Sequence, residues 1–340
     1  MFDKEYNGKV LTISGPVDPE ELGAVSMHEH LYVQFPNPNI GEQPAAPERI
    51  ELLMNYAVPN LKKLKDYGSY AFLDVTASSF RAQPELYRQI ADASGIHIIL
   101  STGIYREVPI GTYTIKNEDD AIWPFARRCT QEELEDFMRG EFLYGIKGSG
   151  VRPGAIKLGN SADVMTPTEL KAFKAAARVQ REAGVHITIH SGCRFCGDDI
   201  PKAQLDVLEK EGVDLRRVVI GHTQNNIREM PAETRECLKR GATFMPTNLR
   251  MDDDWDGIQK LVDEIRRLFD EGYGDRLTLG LDYTFDTELG FFIPCHFMPP
   301  PPYVYMYAYT LPRFRKLGLE EEAIHQMMVE NPKRLLPIQM

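Results

Sequence analysis

Two histidines one residue apart, His28 and His30, follow an apolar run near the start of the chain. In a β-strand, alternation points both imidazoles to one face and the intervening Glu29 to the other. Neutral imidazole nitrogen is a common ligand for Zn²⁺ and related divalent ions. The pair therefore predicts half of a metal site, although two hydrogen-bonded histidines at a polar strand end would give the same local pattern.

Further residues with metal-binding or metal-bridging chemistry stand in or at the ends of other short apolar runs. They are Lys157, His190, His222 and Asp282. If each run is a strand of one barrel, these residues lie toward the carboxyl ends, where such barrels build their active sites. The pattern favours one shared site over several unrelated polar residues.

The number of candidate ligands indicates two metal ions. Four imidazoles and one carboxylate are too many for a single tetrahedral zinc with an open position. Two ions ~3.5–4 Å apart that share a bridging ligand would use them all. Lys157 is the candidate bridge, because burial lowers the pKa of an amine and the neutral amine can add CO₂ to become a carbamate. A lysine that is only ion-paired to a carboxylate is the alternative.

The elements that must position these residues alternate between strands and helices. Residues 10–13 and 15–17 predict a short β-hairpin. Helical spacing marks residues 168–183, 201–211 and 255–271. Eight apolar, β-rich runs favour a closed (β/α)₈ TIM barrel over an open sheet, and no glycine-rich phosphate-binding motif is present. The runs cover residues 24–30, 70–76, 97–103, 154–159, 186–192, 217–223, 243–248 and 277–283.

Composition narrows the class of protein. The 340 residues, 43% of them hydrophobic, fit one α/β domain over residues 1–340. A net charge of −11 argues against nucleic acid or an anionic membrane as partner. The chain has no apolar run long enough to span a membrane and no signal-peptide core. Five scattered cysteines indicate reduced thiols and a cytoplasmic protein. Cys193 and Cys196 are interpreted as free thiols in a loop rather than as a metal-binding or redox pair.

The ligand set His28-x-His30, Lys157, His190, His222 and Asp282 resembles the phosphotriesterase family of the amidohydrolase superfamily, which includes phosphotriesterase-like lactonases. Residues 19–23 leading into 27–31, residues 103–105 and residues 331–334 resemble further stretches of that family. The resemblance implies two divalent ions, Zn²⁺ first and Mn²⁺, Co²⁺ or Fe²⁺ as alternatives. One ion would take His28, His30 and Asp282, the other His190 and His222, with carboxylated Lys157 and hydroxide between them. A homodimer is also implied.

The resemblance further implies a hydrolase of small molecules. The leading substrate is a lactone or carboxylic ester, followed by organophosphate triesters and then amides. Asp282 is the expected catalytic residue, since it would accept a proton from the attacking hydroxide and pass it toward the leaving group. A metal-containing barrel that only binds a ligand is the non-enzymatic alternative.

Four further polar residues lie near the predicted mouth. Tyr105 is a candidate substrate-binding residue, with a core or rim aromatic as the alternative. Arg250 is another candidate, able to bind a carboxylate or phosphate, with a solvated surface arginine as the alternative. Asn225 and Asn248 stand where family members often have ionisable residues. Because amides do not titrate, the outward path of the proton stays open.

Overall fold

A barrel wall of parallel strands dominates the computed structural model, which describes residues 4–33, 47–78, 80–107, 124–160, 165–191, 200–247, 249, 255–287 and 302–340. The strands are β1 Val10–Thr12, β2 Gly15–Val17, β3 Glu29–Val33, β4 Ala71–Asp74, β5 His97–Ile104, β6 Ala155–Gly159, β7 His186–His190, β8 Val218–Gly221, β9 Thr243–Met245 and β10 Tyr283–Thr287. The wall runs in the order β10-β3-β4-β5-β6-β7-β8-β9, all pairs parallel. The predicted (β/α)₈ barrel is confirmed.

The predicted amino-terminal hairpin is also present. β1 and β2 pair antiparallel, with Leu11 opposite Pro16. Gly15 turns the chain at a φ of 120°, which a residue with a Cβ rarely adopts. The N–H of Ile13 donates to the carbonyl of Ile98 at 2.8 Å, so the hairpin is joined to β5 of the barrel.

The first and last barrel strands begin later than predicted, at Glu29 and Tyr283. The residues predicted to start these two strands lie in the barrel wall, where isolated contacts rather than a regular ladder join them to neighbouring segments. The Met27 N–H donates to the Leu279 carbonyl at 2.9 Å, and a bridge between Phe244 and Leu277 joins the other side. Asp282 has a positive φ of 56°, which interrupts a regular ladder. Apolar periodicity reports burial, and burial here extends beyond the paired strand.

Helices cover the wall. The predicted segments are confirmed to within one residue at each end, and α6 shows why: Thr166 and Glu169 form a capping box at its start, and Gly184 ends it in the left-handed region. Among the residues that the structure describes, no helix is long and apolar enough to cross a bilayer. The helices are α1 Pro47–Leu52, α2 Val58–Lys62, α3 Pro84–Ser94, α4 Pro124–Arg128, α5 Gln131–Tyr144, α6 Pro167–Ala183, α7 Ile200–Lys210, α8 Gln224–Glu229, α9 Pro231–Lys239, α10 Trp255–Asp270, α11 Leu311–Lys316, α12 Glu321–His325 and α13 Asn331–Leu335.

His186 begins β7 at the amino end of the barrel, the end associated with stability, and the sequence predicts a structural role for it. Its side chain is fully buried, and neither ring nitrogen has a hydrogen-bond partner within the described ranges. Burial, together with the positive charge of Arg217, lowers the pKa of His186 to about 3. The imidazole therefore stays neutral in the folded protein at pH values where an unfolded histidine takes up a proton.

The variant His186→Leu is expected to lose stability less steeply in acid than the wild type. An unfolded histidine titrates near pH 6.5, so acidification from pH 7 to pH 5 favours unfolding at this site by about 2 kcal/mol. Urea unfolding at both pH values measures the difference for each protein. The exposed His325, changed in the same way, is the matched control. An unchanged pH dependence in His186→Leu would contradict the prediction.

Candidate metal centre

The structure brings the six predicted ligands together at the carboxyl-terminal mouth of the barrel. Four of the side chains lie in strands or directly after them, and two lie directly before a strand. His28 immediately precedes β3 and His30 lies within it; Lys157 lies in β6, His190 ends β7, His222 follows β8, and Asp282 precedes β10.

The carboxylate of Asp282 lies at the centre of this group. Its Oδ1 is 3.2 Å from Nε2 of His30 and 3.4 Å from Nε2 of His28, and its Oδ2 is 3.9 Å from Nδ1 of His222. The His190 and His222 rings have centroids 4.1 Å apart. Ligand atoms of His28, His222 and Asp282 all lie within 4.8 Å of one another, which is close enough for one ion to bind them together.

The Lys157 side chain is 1% exposed, and its Nζ lies 3.2 Å from Nε2 of His28. Burial lowers the pKa of this amine to about 7, against the opposing charges of Asp282 and Asp74. Near neutral pH a substantial fraction of Lys157 is therefore uncharged. The neighbouring strand passes so closely that a Cβ on Gly103 would lie 2.3 Å from the Lys157 carbonyl oxygen. Only glycine fits there.

The protonation states suit a divalent cation. Burial lowers the pKa of His28 and of His190 well below the usual range, and that of His222 to about 4. Burial alone would raise the pKa of Asp282. Electrostatic attraction to His222 has the largest opposing effect, and together with hydrogen bonds from His28 and His30 it holds this pKa well below its ordinary value. Neutral imidazoles around an ionised carboxylate are the donors that Zn²⁺ and similar ions bind. The residues therefore fit a metal centre.

Two of these residues have strained backbones. His222 has a φ of 62° and Asp282 a φ of 56°; within the described ranges, Lys147 alone shares this feature among residues other than glycine. Such conformations cost of order 1–3 kcal/mol and persist where the surrounding structure determines them. At Asp282 the N–H donates to the His28 carbonyl at 2.8 Å. The strain thus coincides with the positions that direct candidate ligands into the mouth.

Hydroxyl groups that the sequence analysis missed hold two of the imidazoles. The Oγ1 of Thr76 lies 2.7 Å from Nδ1 of His30, and the Oγ1 of Thr247 lies 2.7 Å from Nδ1 of His222. Partners of this kind orient metal-binding histidines. The buried carboxylate of Asp74 accepts from the N–H of Thr76 at 2.8 Å and from the N–H of Leu31 at 2.9 Å, and so supports the backbone next to Thr76 and His30.

Tyr105 reaches the edge of the cluster. Its hydroxyl is 3.1 Å from Nδ1 of His190, and the two rings meet edge to face with centroids 5.1 Å apart. The Arg106 guanidinium lies over the Tyr105 ring, 5.3 Å from its centroid, and the side chain is 4% exposed. Its charge contributes to lowering the pKa of His190, after burial and the neighbouring imidazole. A buried cation therefore lies beside the candidate site, and no pattern in the sequence indicates it.

Asn225 is bonded away from the cluster. The Oδ1 of Asn225 accepts a hydrogen bond from Nη2 of Arg228 at 2.5 Å, so the amide is engaged on its own helix. Arg250, Asn248, Cys193 and Cys196 lie outside the described residues. Their predicted roles stay predictions.

Sequence comparison places the chain among known proteins. The profile of the Phosphotriesterase family matches residues 8–336. The chain belongs to the phosphotriesterase family. Members of this family are generally binuclear metal enzymes. Since the family and its named relatives are hydrolases, the chain is a hydrolase, and the alternative of a barrel that only binds a ligand is not retained.

Individual relatives of this phosphotriesterase-family chain span nearly all of it. A phosphotriesterase homology protein of Mycobacterium tuberculosis is 25% identical over 95% of this chain and 96% of its own length. An N-acetyltaurine hydrolase of Dictyostelium discoideum is 23% identical, covering 98% and 99%. Among solved structures, an organophosphorus hydrolase from Deinococcus radiodurans has a TM-score of 0.78 at 28% identity and covers 99% of both chains.

A second solved structure bears on substrate class. It is described as organophosphate hydrolysis activity engineered from a weak promiscuous lactonase template. It has a TM-score of 0.75 at 28% identity and covers 96% of this chain and 99% of its own. The names of the relatives thus include an organophosphorus hydrolase, a lactonase template and an N-acetyltaurine hydrolase.

Proposed function

We propose that the six residues hold two divalent ions and that Lys157 bridges them as a carbamate. The supporting observation is that the Asp282 carboxylate and the Lys157 amine both lie against His28 in a group of neutral imidazoles. The amine nitrogen would form a bond to the carbon of CO₂, an electron pair of one C=O bond would move to oxygen, and one N–H proton would leave to solvent. The product is an anion with two ligand oxygens.

The division of ligands follows the family pattern. His28, His30 and Asp282 would hold one ion, and His190 and His222 the other. Zn²⁺ is the first choice, with Mn²⁺, Co²⁺ and Fe²⁺ as alternatives, because this donor set suits several of them. When bound, the ions would supply a nucleophilic hydroxide near neutral pH and polarise the oxygen of the scissile group.

Asp282 is the proposed catalytic residue. Its side chain is 26% exposed, whereas that of His28 is 1% exposed, so the carboxylate faces both the cluster and the mouth. An ionised carboxylate at this place accepts a proton during attack and returns it to the leaving group. Thr76 and Thr247 keep two of the imidazoles oriented, and the Tyr105 hydroxyl is positioned at the edge of the cluster to orient the substrate.

The leading substrate class is a lactone or carboxylic ester. The lactonase template among the structural relatives supports this class. So does the amide at Asn225, which is bonded to Arg228 and offers no titratable group for carrying a proton outward. In a lactone the leaving oxygen stays attached to the product, within reach of Asp282.

Amide hydrolysis is the second candidate, supported by relatives named N-acetyltaurine hydrolase and by the buried guanidinium of Arg106. N-acetyltaurine is an acetyl amide with a sulfonate, and a planar guanidinium binds such oxyanions through paired hydrogen bonds. Organophosphate triesters come third, supported by the Deinococcus radiodurans relative.

A substrate panel tests these candidates on one metal-loaded preparation. It contains lactones of different ring size, an aryl ester, N-acetyltaurine with a neutral N-acetyl amide, and paraoxon. For the best lactone we expect kcat/KM at or above about 10⁴ M⁻¹ s⁻¹. Chelation should abolish turnover, and a divalent ion with bicarbonate should restore it. Faster turnover of N-acetyltaurine would replace the leading candidate, and bound metal with no turnover of any substrate would overturn the proposal.

We also propose that the chain acts as one domain, residues 1–340, and as a cytoplasmic homodimer without nucleic-acid or membrane partners. Light scattering coupled to gel filtration distinguishes the dimer from a monomer of 38.7 kDa.

A further inference from the structure

The carboxyl group of Glu29 lies between the first and last strands of the barrel wall. Its residue is 3% exposed, and alternation points its side chain away from the imidazoles of His28 and His30. It accepts hydrogen bonds from the N–H of Leu281 at 3.3 Å, from the N–H of Tyr283 at 3.0 Å and from the Ser26 hydroxyl. The two backbone donors belong to the residues on either side of Asp282.

Every N–H of residues 281–283 is bonded to Glu29, the first residue of β3, or to His28, which precedes it. The Leu281 and Tyr283 N–H groups meet Glu29, and the N–H of Asp282 itself meets the His28 carbonyl at 2.8 Å. A turn that directs neighbouring N–H groups at one side chain forms a concavity suited to an oxyanion. The Glu29 carboxyl group fills it.

The same turn places the Asp282 backbone in the left-handed region, with a φ of 56°. This conformation is uncommon for aspartate and needs neighbouring contacts to fix it. Its consequence is that the Asp282 carboxylate points at the imidazoles, 3.2 Å from His30 and 3.4 Å from His28. The hydrogen bonds to Glu29 therefore fix the backbone on one side of Asp282, and the Asp282 carboxylate faces the imidazoles on the other side.

We propose that Glu29 is a positioning residue, whose carboxyl group holds the backbone on both sides of Asp282 and thereby aims the Asp282 carboxylate into the metal centre. Glu29 acts through Asp282 and does not contact substrate. This inference rests on the proposed metal centre, and the kinetic part of its test rests in addition on the proposed hydrolytic activity.

The decisive variant removes both acceptors. Burial raises the pKa of Glu29 to about 8, so the change must act on either protonation state of the carboxyl group. Glu29→Met does so with a side chain of similar length. Glu29→Gln is the conservative partner: its carbonyl oxygen can keep the bond from Tyr283, and its amide nitrogen cannot accept from Leu281. Glu132→Gln makes the same chemical change on the exposed face of α5 and is the matched control.

The readouts are the visible absorption spectrum of the Co²⁺-loaded protein, metal affinity by competition with a chelator, and kcat and KM. In Glu29→Met we expect an altered Co²⁺ spectrum, a metal affinity lower by about 10–100-fold, and a kcat lower by a similar factor with KM nearly unchanged. Glu29→Gln should recover part of each, and Glu132→Gln should match the wild type. Circular dichroism verifies that each variant is folded.

A folded Glu29→Met protein with the wild-type Co²⁺ spectrum, metal affinity and kcat would overturn the inference. So would a Glu29→Met protein that is merely less stable, with a wild-type spectrum and a wild-type kcat per bound metal. If the methionine variant does not fold, wild-type values of all three quantities in Glu29→Gln overturn it instead. A wild-type protein that hydrolyses nothing in the panel counts against the proposed function, while the spectrum and the affinity still decide the role of Glu29.

Discussion

Lys157→Met is expected to lower metal-dependent hydrolysis by about 1,000-fold or more while leaving the protein folded. The amine cannot then form a carbamate, so the ligand proposed to join the two ions is lost. A bound ion supplies several kcal/mol of transition-state stabilisation, and ~4 kcal/mol corresponds to a factor of ~10³ in rate. The fold should tolerate the change, because methionine replaces a fully buried amine whose pKa burial already lowers to about 7.

Metal content and kcat/KM with the best substrate of the panel measure this loss. Lys157→Ala adds a rescue experiment, since the smaller side chain leaves room for acetate or propionate to supply a carboxylate at the same place. We expect added carboxylate to restore part of the activity of Lys157→Ala and to leave the activity of the wild type unchanged. Lys210→Met, on the exposed end of α7, is the control. Full activity in Lys157→Met without added carboxylate would exclude the carbamate.

The ligand residues are predictable from sequence because each lies in or next to a short apolar run, and parallel strands bring their carboxyl ends to one mouth. His28 and His30 illustrate this, since strand alternation alone places both imidazoles on one face. Alternation also predicts that Glu29 points the other way. What Glu29 meets is not predictable locally, because Leu281 and Tyr283 are more than 250 positions away along the chain.

The threonine hydroxyls that contact His30 and His222 are not predictable from the sequence, for a different reason. Threonine is common in strands for its β-branched shape, so Thr76 and Thr247 give no chemical signal until the fold brings them 2.7 Å from an imidazole. The starts of the first and last strands are missed because residues such as Val25 are buried without being paired in a regular ladder. The left-handed backbone of Asp282 is equally invisible, since aspartate rarely adopts it.

Asp282→Asn is expected to separate metal binding from catalysis. Asparagine has nearly the same size and tolerates a positive φ as well as aspartate does, so the strained turn at φ 56° should persist. Its side-chain oxygen still offers a ligand atom toward His28 and His30. The amide cannot accept a proton, and proton transfer by a positioned group contributes about 10²–10⁴-fold to a rate. We therefore expect kcat to fall by about 10²–10⁴-fold, with a much smaller loss of bound metal.

Parallel measurement of metal content and kcat decides between proton transfer and simple ligation. Asp282→Ala is the matched comparison, because alanine removes the ligand oxygens and fits a φ of 56° poorly, so metal and activity should fall together. If Asp282→Asn also loses metal in proportion to activity, the residue acts as a ligand only. If it keeps both, some other group accepts the proton. The side-chain exposure of Asp282, 26% in a mouth where His28 is 1% exposed, favours proton transfer, because only a carboxylate open to the mouth can reach both the attacking water and the leaving group.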